Sequence, residues 1–144
     1  MEIRIIPYEE AYCDDMIFMI LEAKNALGRI PTLNPDLLDV EGSYLRVGGG
    51  FRLALDENGR VVGSIGWNRL SEEEARLHRL YVKASLKRRG IGSLLLKTAE
   101  DALRRDGFRT VSVHLGGKEY AESYSFYPKH GYRETEPRYM KKEL

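Results

Sequence analysis

The feature that most constrains the fold is the junction at residues 80–96, which reads LYVKASLKRRGIGSLLL. An apolar segment, a basic loop with two glycines and a helix-patterned segment follow one another, which predicts a strand–loop–helix unit. The first N–H groups of such a helix lack intrahelical partners and carry partial positive charge, so they suit a phosphate. Glycine lets an anion approach the backbone because it has no Cβ. The junction therefore predicts a cofactor that carries a pyrophosphate.

Two common phosphate-binding motifs do not fit this loop. A nucleoside-triphosphate loop requires G-x-x-x-x-G-K-[ST], but Gly92 is followed by Ser93 and Leu94. A dinucleotide fingerprint requires a third glycine, and Leu95 occupies that position. The loop instead reads as a basic residue, two further residues and then Gly-x-Gly, which is KRRGIG at residues 87–92.

This loop and a second motif together resemble the GCN5-related N-acetyltransferase (GNAT) family. Residues 87–92 are similar to the family's coenzyme A loop. Residues 126–132, FYPKHGY, are similar to its Phe-Tyr-x-x-x-Gly-(Phe/Tyr) motif, and they follow the loop by one predicted helix and one predicted strand. The resemblance extends over residues 3–140.

Hydrophobic periodicity and turn signals predict one α/β domain over residues 1–144. The predicted strands are 3–6, 51–55, 61–68, 75–82, 110–115, 132–135 and 138–142, and the predicted helices are 8–26, 93–106 and 118–130. Asn34 is predicted to cap a short helix that has Pro35 in its first turn. Alternation of strand and helix after residue 75 predicts a partly parallel sheet, while the early hairpin predicts an antiparallel part.

The resemblance implies a GNAT-like mixed sheet with helices on both faces. It implies that the fourth and fifth strands splay apart and that the pantetheine arm of acetyl-CoA pairs with the fourth strand's backbone. No metal is expected. The implied cofactor-binding residues are Leu80, Tyr81, Val82, Lys87, Arg88, Arg89, Gly90, Ile91, Gly92, Ser93 and Tyr127.

Acetyl transfer to an amine requires a neutral amine, a stabilised oxyanion and a protonated leaving thiolate. The resemblance implies that Tyr127 is the general acid and that a backbone N–H near Val82 stabilises the oxyanion. A tyrosine pKa near ~10 suits a thiol leaving group of ~8.5. Tyr120 stands where the family often has an asparagine that helps to hold the cofactor or a water.

The sequence leaves three alternatives for the general base. Histone-type members have a glutamate six residues before the Val82 position, but here it is Arg76, which cannot accept a proton. His78 matches a histidine of arylalkylamine-type members and titrates near neutrality. Strand alternation predicts that residues 76, 78, 80 and 82 share one face. Glu74 is two residues before Arg76, so it is predicted on the same face and could act as the base through a water molecule. A mechanism without a protein base is the third alternative.

Arg76 also allows a hypothesis about the acceptor. A cation that faces the acceptor cleft would favour an amine with a carboxylate or phosphate beside it. The alternative is that Arg76 is a surface arginine of the strand with no role in binding.

Composition favours a small anionic ligand over a nucleic acid. The chain has a net charge of +1, whereas nucleic-acid binders are usually strongly basic. Residues 83–105 nevertheless carry seven Lys or Arg against two acids, a local patch that suits a small polyanion. No apolar run approaches the ~20 residues of a membrane span. The single cysteine, Cys13, fits a reducing compartment.

We therefore expect a cytoplasmic enzyme that transfers acetyl directly from acetyl-CoA to a primary amine of a small molecule, peptide or protein. It is expected to bind neither membrane nor nucleic acid, and a homodimer is compatible with the sequence. The alternative is a non-catalytic acyl-CoA-binding or sensor domain that keeps the loop but has lost turnover.

Overall fold

A seven-stranded sheet, in the order β1-β2-β3-β4-β5-β7-β6, organises the computed structural model, which describes residues 1–117 and 121–144. The strands are β1 (Arg4–Pro7), β2 (Gly50–Leu55), β3 (Val61–Arg69), β4 (Glu74–Val82), β5 (Thr110–His114), β6 (Arg133–Glu136) and β7 (Tyr139–Glu143). Strands β4 and β5 are parallel, and all the other pairs are antiparallel. The predicted mixed, partly parallel sheet is confirmed.

Three α-helices flank this sheet on its two faces, as predicted. They are α1 (Cys13–Ala26), α2 (Ile91–Arg105) and α3 (Ala121–Lys129). Short helical turns occur at Glu10–Tyr12, Pro35–Leu38, Glu41–Leu45 and Ala84–Leu86. The predicted start of the last helix, residues 118–120 with Tyr120, lies outside the described residues. No helix in the described part of the chain is long and apolar enough to cross a membrane.

Two apolar clusters hold the helices against the sheet. On one face, Leu95 and Leu103 of α2 pack with Val111 of β5 in a cluster that also includes Tyr127 of α3. On the other face, α1 packs against β2 in a cluster that includes Ile20 and Phe51. The two clusters cover the central strands on both faces, and such interiors are close-packed.

Strands β4 and β5 pair only over their first halves. The register runs from Glu74 opposite Thr110 to Leu77 opposite Val113. Beyond that point β4 continues to Val82, whereas β5 ends at His114. The second half of β4 therefore has no strand partner on this side, and the predicted splay is confirmed.

A bulge interrupts β4 at Arg79. His78 and Tyr81 pair with β3 residues that are only two apart, so Arg79 and Leu80 share a single opposing residue. Arg79 has φ 55, a conformation that is uncommon for residues other than glycine. The hydroxyl of Ser64 on β3 donates to the carbonyl oxygen of Arg79 at 2.8 Å and holds the bulge in place.

The prediction that four β4 residues share one face is wrong; these residues are Arg76, His78, Leu80 and Val82. One extra residue in a strand reverses the alternation of side chains beyond it. Leu80 and Val82 consequently pack against the cluster on the α2 side, together with Leu77. His78 lies on the opposite side, where its ring centroid is 6.2 Å from that of Tyr44.

Two further local predictions need correction. The sequence predicts that the first strand ends at residue 6, but Pro7 also lies within β1 and pairs with Arg52. The missing N–H of a proline is tolerated there because β1 is an edge strand. Asn34 does not cap the short helical turn that follows it; its side-chain oxygen accepts a hydrogen bond from the ammonium of Lys24 instead.

A buried carboxylate ties α2 to the C-terminal hairpin. Glu100 of α2 is 5% exposed, and it accepts hydrogen bonds from the Tyr132 hydroxyl at 2.8 Å and from the Lys142 ammonium at 2.9 Å. Burial, followed by the charge of Glu100 and its hydrogen bond, raises the pKa of Tyr132, so its phenol remains a donor. These bonds satisfy a charge that would otherwise be costly to bury.

We predict that Glu100→Ala lowers the free energy of unfolding by about 2–3 kcal/mol, because it leaves the Lys142 ammonium and the Tyr132 hydroxyl without their acceptor. Urea unfolding monitored by circular dichroism measures the change. Glu57→Ala, in the exposed turn between β2 and β3, is the control and should shift stability by less than about 0.5 kcal/mol. Equal effects of the two substitutions would contradict this account.

Candidate active site

A cleft of about 600 Å³ opens where β4 and β5 separate. The unpaired half of β4 forms one wall, the end of β5 and the start of α3 form another, and the last turn of α1 closes one side. Several predicted site residues line it: Arg76, His78, Leu80, Tyr81, Val82, Lys87 and Tyr127. The structure thus brings residues of β4, the glycine loop and α3 to one place.

The loop from β4 into α2 presents unpaired backbone donors. Arg88 has φ 65 and Gly90 has φ 83, so the chain turns through two left-handed residues before α2 begins at Ile91. In residues 1–117 and 121–144 no acceptor pairs with the six successive N–H groups from Arg88 to Ser93. Consecutive donors of this kind at a helix N-terminus form an anion-binding concavity. The predicted phosphate loop therefore has the required geometry.

Side chains add charge around these donors in two different ways. Arg88 and Arg89 are exposed and can move toward a bound anion. Lys87 instead forms an ion pair with Glu122 at 2.8 Å, which joins the loop to the first turn of α3. The Ile91 side chain is buried in the core, so its contribution to the loop is its backbone.

Ser93 is linked to α3 through His130. The Nδ1 atom of His130 lies 2.9 Å from the carbonyl oxygen of Phe126, and Nε2 lies 2.9 Å from Oγ of Ser93. A carbonyl only accepts, so in the neutral imidazole Nδ1 donates to it and Nε2 accepts from the Ser93 hydroxyl. This bridge fixes the start of α2 against α3, on which Tyr127 is carried.

The unpaired half of β4 directs a backbone donor into the cleft. The N–H of Lys83 donates to the carbonyl oxygen of Val62 on β3 at 2.8 Å. Successive N–H groups along an extended chain point to opposite sides. The N–H of Val82 is therefore directed away from β3 and toward the gap left by β5.

Tyr127 is buried and lines the cleft. Its ring packs edge-on against Phe126 and Tyr132, with centroids 5.1 and 5.3 Å away. Burial, and to a lesser extent Tyr81, raises its pKa, so the phenol holds its proton throughout the neutral range. No residue of the described ranges hydrogen-bonds to its hydroxyl, and this donor is available to a ligand in the cleft.

His78 lies on the other wall, half-buried, and its ring packs against that of Tyr44 at an interplanar angle of 60°. Burial lowers its pKa, and the positive charges of Arg79 and Arg76 lower it further, although Asp36 partly opposes them. The neutral imidazole is therefore favoured at neutral pH and can accept a proton.

Glu74 is not brought to the cleft. It lies at the opposite end of β4, where Ser112 donates to one of its oxygens at 2.9 Å and Lys141 forms an ion pair with the other at 3.1 Å. It lines a separate small cavity beside β6 and β7 instead. Among residues 1–117 and 121–144 no three His, Cys, Asp or Glu side chains cluster closely enough to hold a metal ion.

Sequence reasoning missed the group that supports the bulge. The guanidinium of Arg79 forms two hydrogen bonds with Asp36, at 2.9 and 3.0 Å, and the Tyr44 hydroxyl donates to the same carboxylate at 2.5 Å. Desolvation would raise the pKa of Asp36, but these hydrogen bonds outweigh it and lower the pKa. Arg79 is 43 residues from Asp36 in sequence, so no local pattern could have identified their pairing.

Comparison with known families and structures agrees with this geometry. Residues 40–144 match the family model described as "Acetyltransferase (GNAT) domain". This match covers most of the chain, which therefore belongs to the GNAT family and is an acetyltransferase enzyme. A comparison with curated proteins gave no match.

Solved structures share the whole fold. A GNAT-family acetyltransferase from Staphylococcus aureus Mu50 is 25% identical, with a TM-score of 0.91 over 99% of both chains. PaiA N-acetyltransferase from Thermoplasma acidophilum, solved with coenzyme A, is 19% identical with a TM-score of 0.81 over 100% of both chains. A GNAT acetyltransferase from Elizabethkingia anophelis with acetyl-CoA bound is 19% identical, with a TM-score of 0.73 over 99% of this chain and 98% of that one.

We predict that Gly90→Ala weakens acetyl-CoA binding and lowers the free energy of unfolding by about 1 kcal/mol, because alanine disfavours φ 83. No atom lies within 4 Å of the added Cβ, so the effect is conformational rather than steric. Calorimetric titration with acetyl-CoA and urea unfolding measure the two quantities.

Gly59→Ala is the matched control for this prediction. Gly59 has φ 76 and equally open surroundings, but it lies in the turn between β2 and β3. We expect the same loss of stability and an unchanged dissociation constant for acetyl-CoA. A similar change in that constant for both variants would show that the Gly90 loop is not the binding site.

Proposed function

We propose that residues 1–144 form one N-acetyltransferase domain that transfers acetyl directly from acetyl-CoA to a primary amine of a small molecule or peptide. The observation that carries this proposal is that the protonated phenol of Tyr127 and the neutral imidazole of His78 line one cleft. Lys87 lines the same cleft and is followed directly by the unpaired N–H groups that begin at Arg88.

The described residues fit acetyl-CoA. The pyrophosphate would be held by the N–H groups of residues 88–93, with Lys87, Arg88 and Arg89 supplying positive charge. The pantetheine arm would lie along residues 80–82, where β4 has no strand partner on the cleft side. Acetyl-CoA, when bound, supplies the acetyl group as a thioester.

On this proposal, Tyr127 and His78 move protons in opposite directions. His78 accepts the proton that the amine loses as the new C–N bond forms. The Tyr127 hydroxyl donates a proton to the sulfur as the C–S bond breaks. The N–H of Val82 donates a hydrogen bond to the thioester oxygen as negative charge develops on it, and a fixed donor of this kind stabilises the transition state.

The direct test combines binding and turnover on the purified protein. Calorimetry with acetyl-CoA measures binding, and a free-thiol assay over a panel of amines, amino acids and peptides measures transfer. Binding with thiol release on one class of amine supports the proposal. Tight binding of acetyl-CoA without thiol release on any amine would favour a sensor domain. The absence of binding would show that acetyl-CoA is not the ligand of this loop.

We predict that Tyr127→Phe lowers kcat about 100-fold or more, since it removes the proton donor for the leaving sulfur. The dissociation constant for acetyl-CoA should change by no more than about threefold, because the ring and its packing remain. Tyr124→Phe is the control: Tyr124 is one turn earlier on α3, where its hydroxyl donates to the carbonyl of Gly116. If kcat of Tyr127→Phe stayed near the wild-type value, Tyr127 would not be the acid.

We also predict an acid limb in the pH profile of kcat/KM that has its midpoint below ~6.5, the ordinary pKa of histidine. The base works only when deprotonated, so the rate rises with pH through the lowered pKa of His78. His78→Gln should abolish this limb. His114→Gln, at another histidine that lines the cleft, should retain it. If the acid limb persisted in His78→Gln, a group other than His78 would be the base.

A further inference from the structure

The guanidinium of Arg76 is fixed at the cleft with its outer donors unused. Its Nε donates to Oγ of Ser112 at 3.3 Å, and Cζ lies 4.9 Å from the centroid of the Tyr139 ring. The Tyr139 ring in turn stacks on His114, with centroids 4.6 Å apart. The two terminal nitrogens of Arg76 have no hydrogen-bond acceptor in the described ranges. An arginine held in this way presents a rigid fork that matches a carboxylate or phosphate.

No nearby carboxylate in the described ranges balances the positive charge of the Arg76 guanidinium. Arg79 is paired with Asp36 and Lys87 with Glu122, whereas no carboxylate of the described residues lies within 4.0 Å of the Arg76 nitrogens. A half-buried cation without a counter-ion is costly. An anion in the cleft would offset that cost.

Glu74 does not provide this compensation. It is coupled to Arg76 only through Ser112, whose hydroxyl accepts from Arg76 and donates to Glu74. Its other oxygen is taken by Lys141 at 3.1 Å. The polar contacts behind Arg76 therefore hold its guanidinium in position and leave its outer edge for a ligand.

Arg76 and His78 lie on the same face of β4, two residues apart and before the bulge. Their Cα atoms are separated by roughly 6.6 Å along the strand. Both side chains line the cleft. One small molecule can therefore place its amine at His78 and an oxyanion a few atoms away at Arg76.

We propose that the acceptor is a small amine carrying a carboxylate or phosphate a few atoms from the amine, and that Arg76 binds this oxyanion. The inference rests on the proposed function, because it names the substrate class of the same site. In this proposal Arg76 selects the acceptor and takes no part in proton transfer.

The test compares matched acceptors in the thiol-release assay. One pair is an α-amino acid and its α-amide, and the other is an aminoalkyl phosphate and the corresponding amino alcohol. We expect kcat/KM to be about 10-fold or more higher for the anionic member of at least one pair. The pair that shows the preference identifies the oxyanion as a carboxylate or a phosphate.

Variants then show whether Arg76 causes the preference. Arg76→Gln should abolish it by lowering kcat/KM for the anionic acceptor far more than for the neutral one. Arg76→Lys, which keeps the charge but loses the fork, should give an intermediate preference. Arg133→Gln is the control, since it removes one exposed positive charge on β6 and should leave the preference unchanged.

A binding measurement separates this inference from the proposed function. Calorimetry in the presence of coenzyme A compares an N-acetyl amino acid and an N-acetylaminoalkyl phosphate with their neutral counterparts. Absence of turnover on every amine, together with Arg76-dependent binding of the anionic compounds, would overturn the proposed function and support the oxyanion site. Equal kcat/KM and equal affinity for anionic and neutral partners, or a preference that survives in Arg76→Gln, would overturn the inference.

Discussion

The early end of pairing between β4 and β5 is the constraint on which the site depends. After Leu77 and Val113 the two parallel strands separate, and half of β4 is left with backbone groups that no strand satisfies. Unpaired backbone polar groups normally need water or another partner. In this fold the gap becomes the cleft, and a backbone donor at Val82 is directed into it. The glycine loop, α3 and the end of α1 then enclose the same opening.

The bulge in β4 decides which side chains reach each side of that opening. Arg79 adopts a strained conformation that the hydrogen bond from Ser64 and the pairing with Asp36 stabilise. Because the bulge reverses the alternation, Leu80 and Val82 join the core on the α2 side while His78 remains on the α1 side. A regular strand would have placed an apolar side chain beside His78 on the acceptor side.

Burial shifts the pKa values of Tyr127 and His78, the two groups proposed to transfer protons, in opposite directions. It raises the pKa of Tyr127, which keeps the phenol protonated, and it lowers the pKa of His78, which keeps the imidazole neutral. Desolvation disfavours the charged form in both cases. The same effect of burial thus favours a donor on one wall of the cleft and an acceptor on the other. The positive charges of Arg79 and Arg76 reinforce the effect on His78.

The sequence by itself determined the main helices and strands and pointed to the loop at residues 87–92 as a candidate phosphate site, because hydrophobic periodicity, the glycines at 90 and 92 and the motif at 126–132 are local signals. It also indicated the splay and Tyr127 through the family resemblance. Only the tertiary structure decided the bulge at Arg79, the displacement of Glu74 to another cavity and the pairing of Asp36 with Arg79. Each of these depends on contacts between residues distant in the chain, and a one-residue change in strand register leaves no trace in local periodicity.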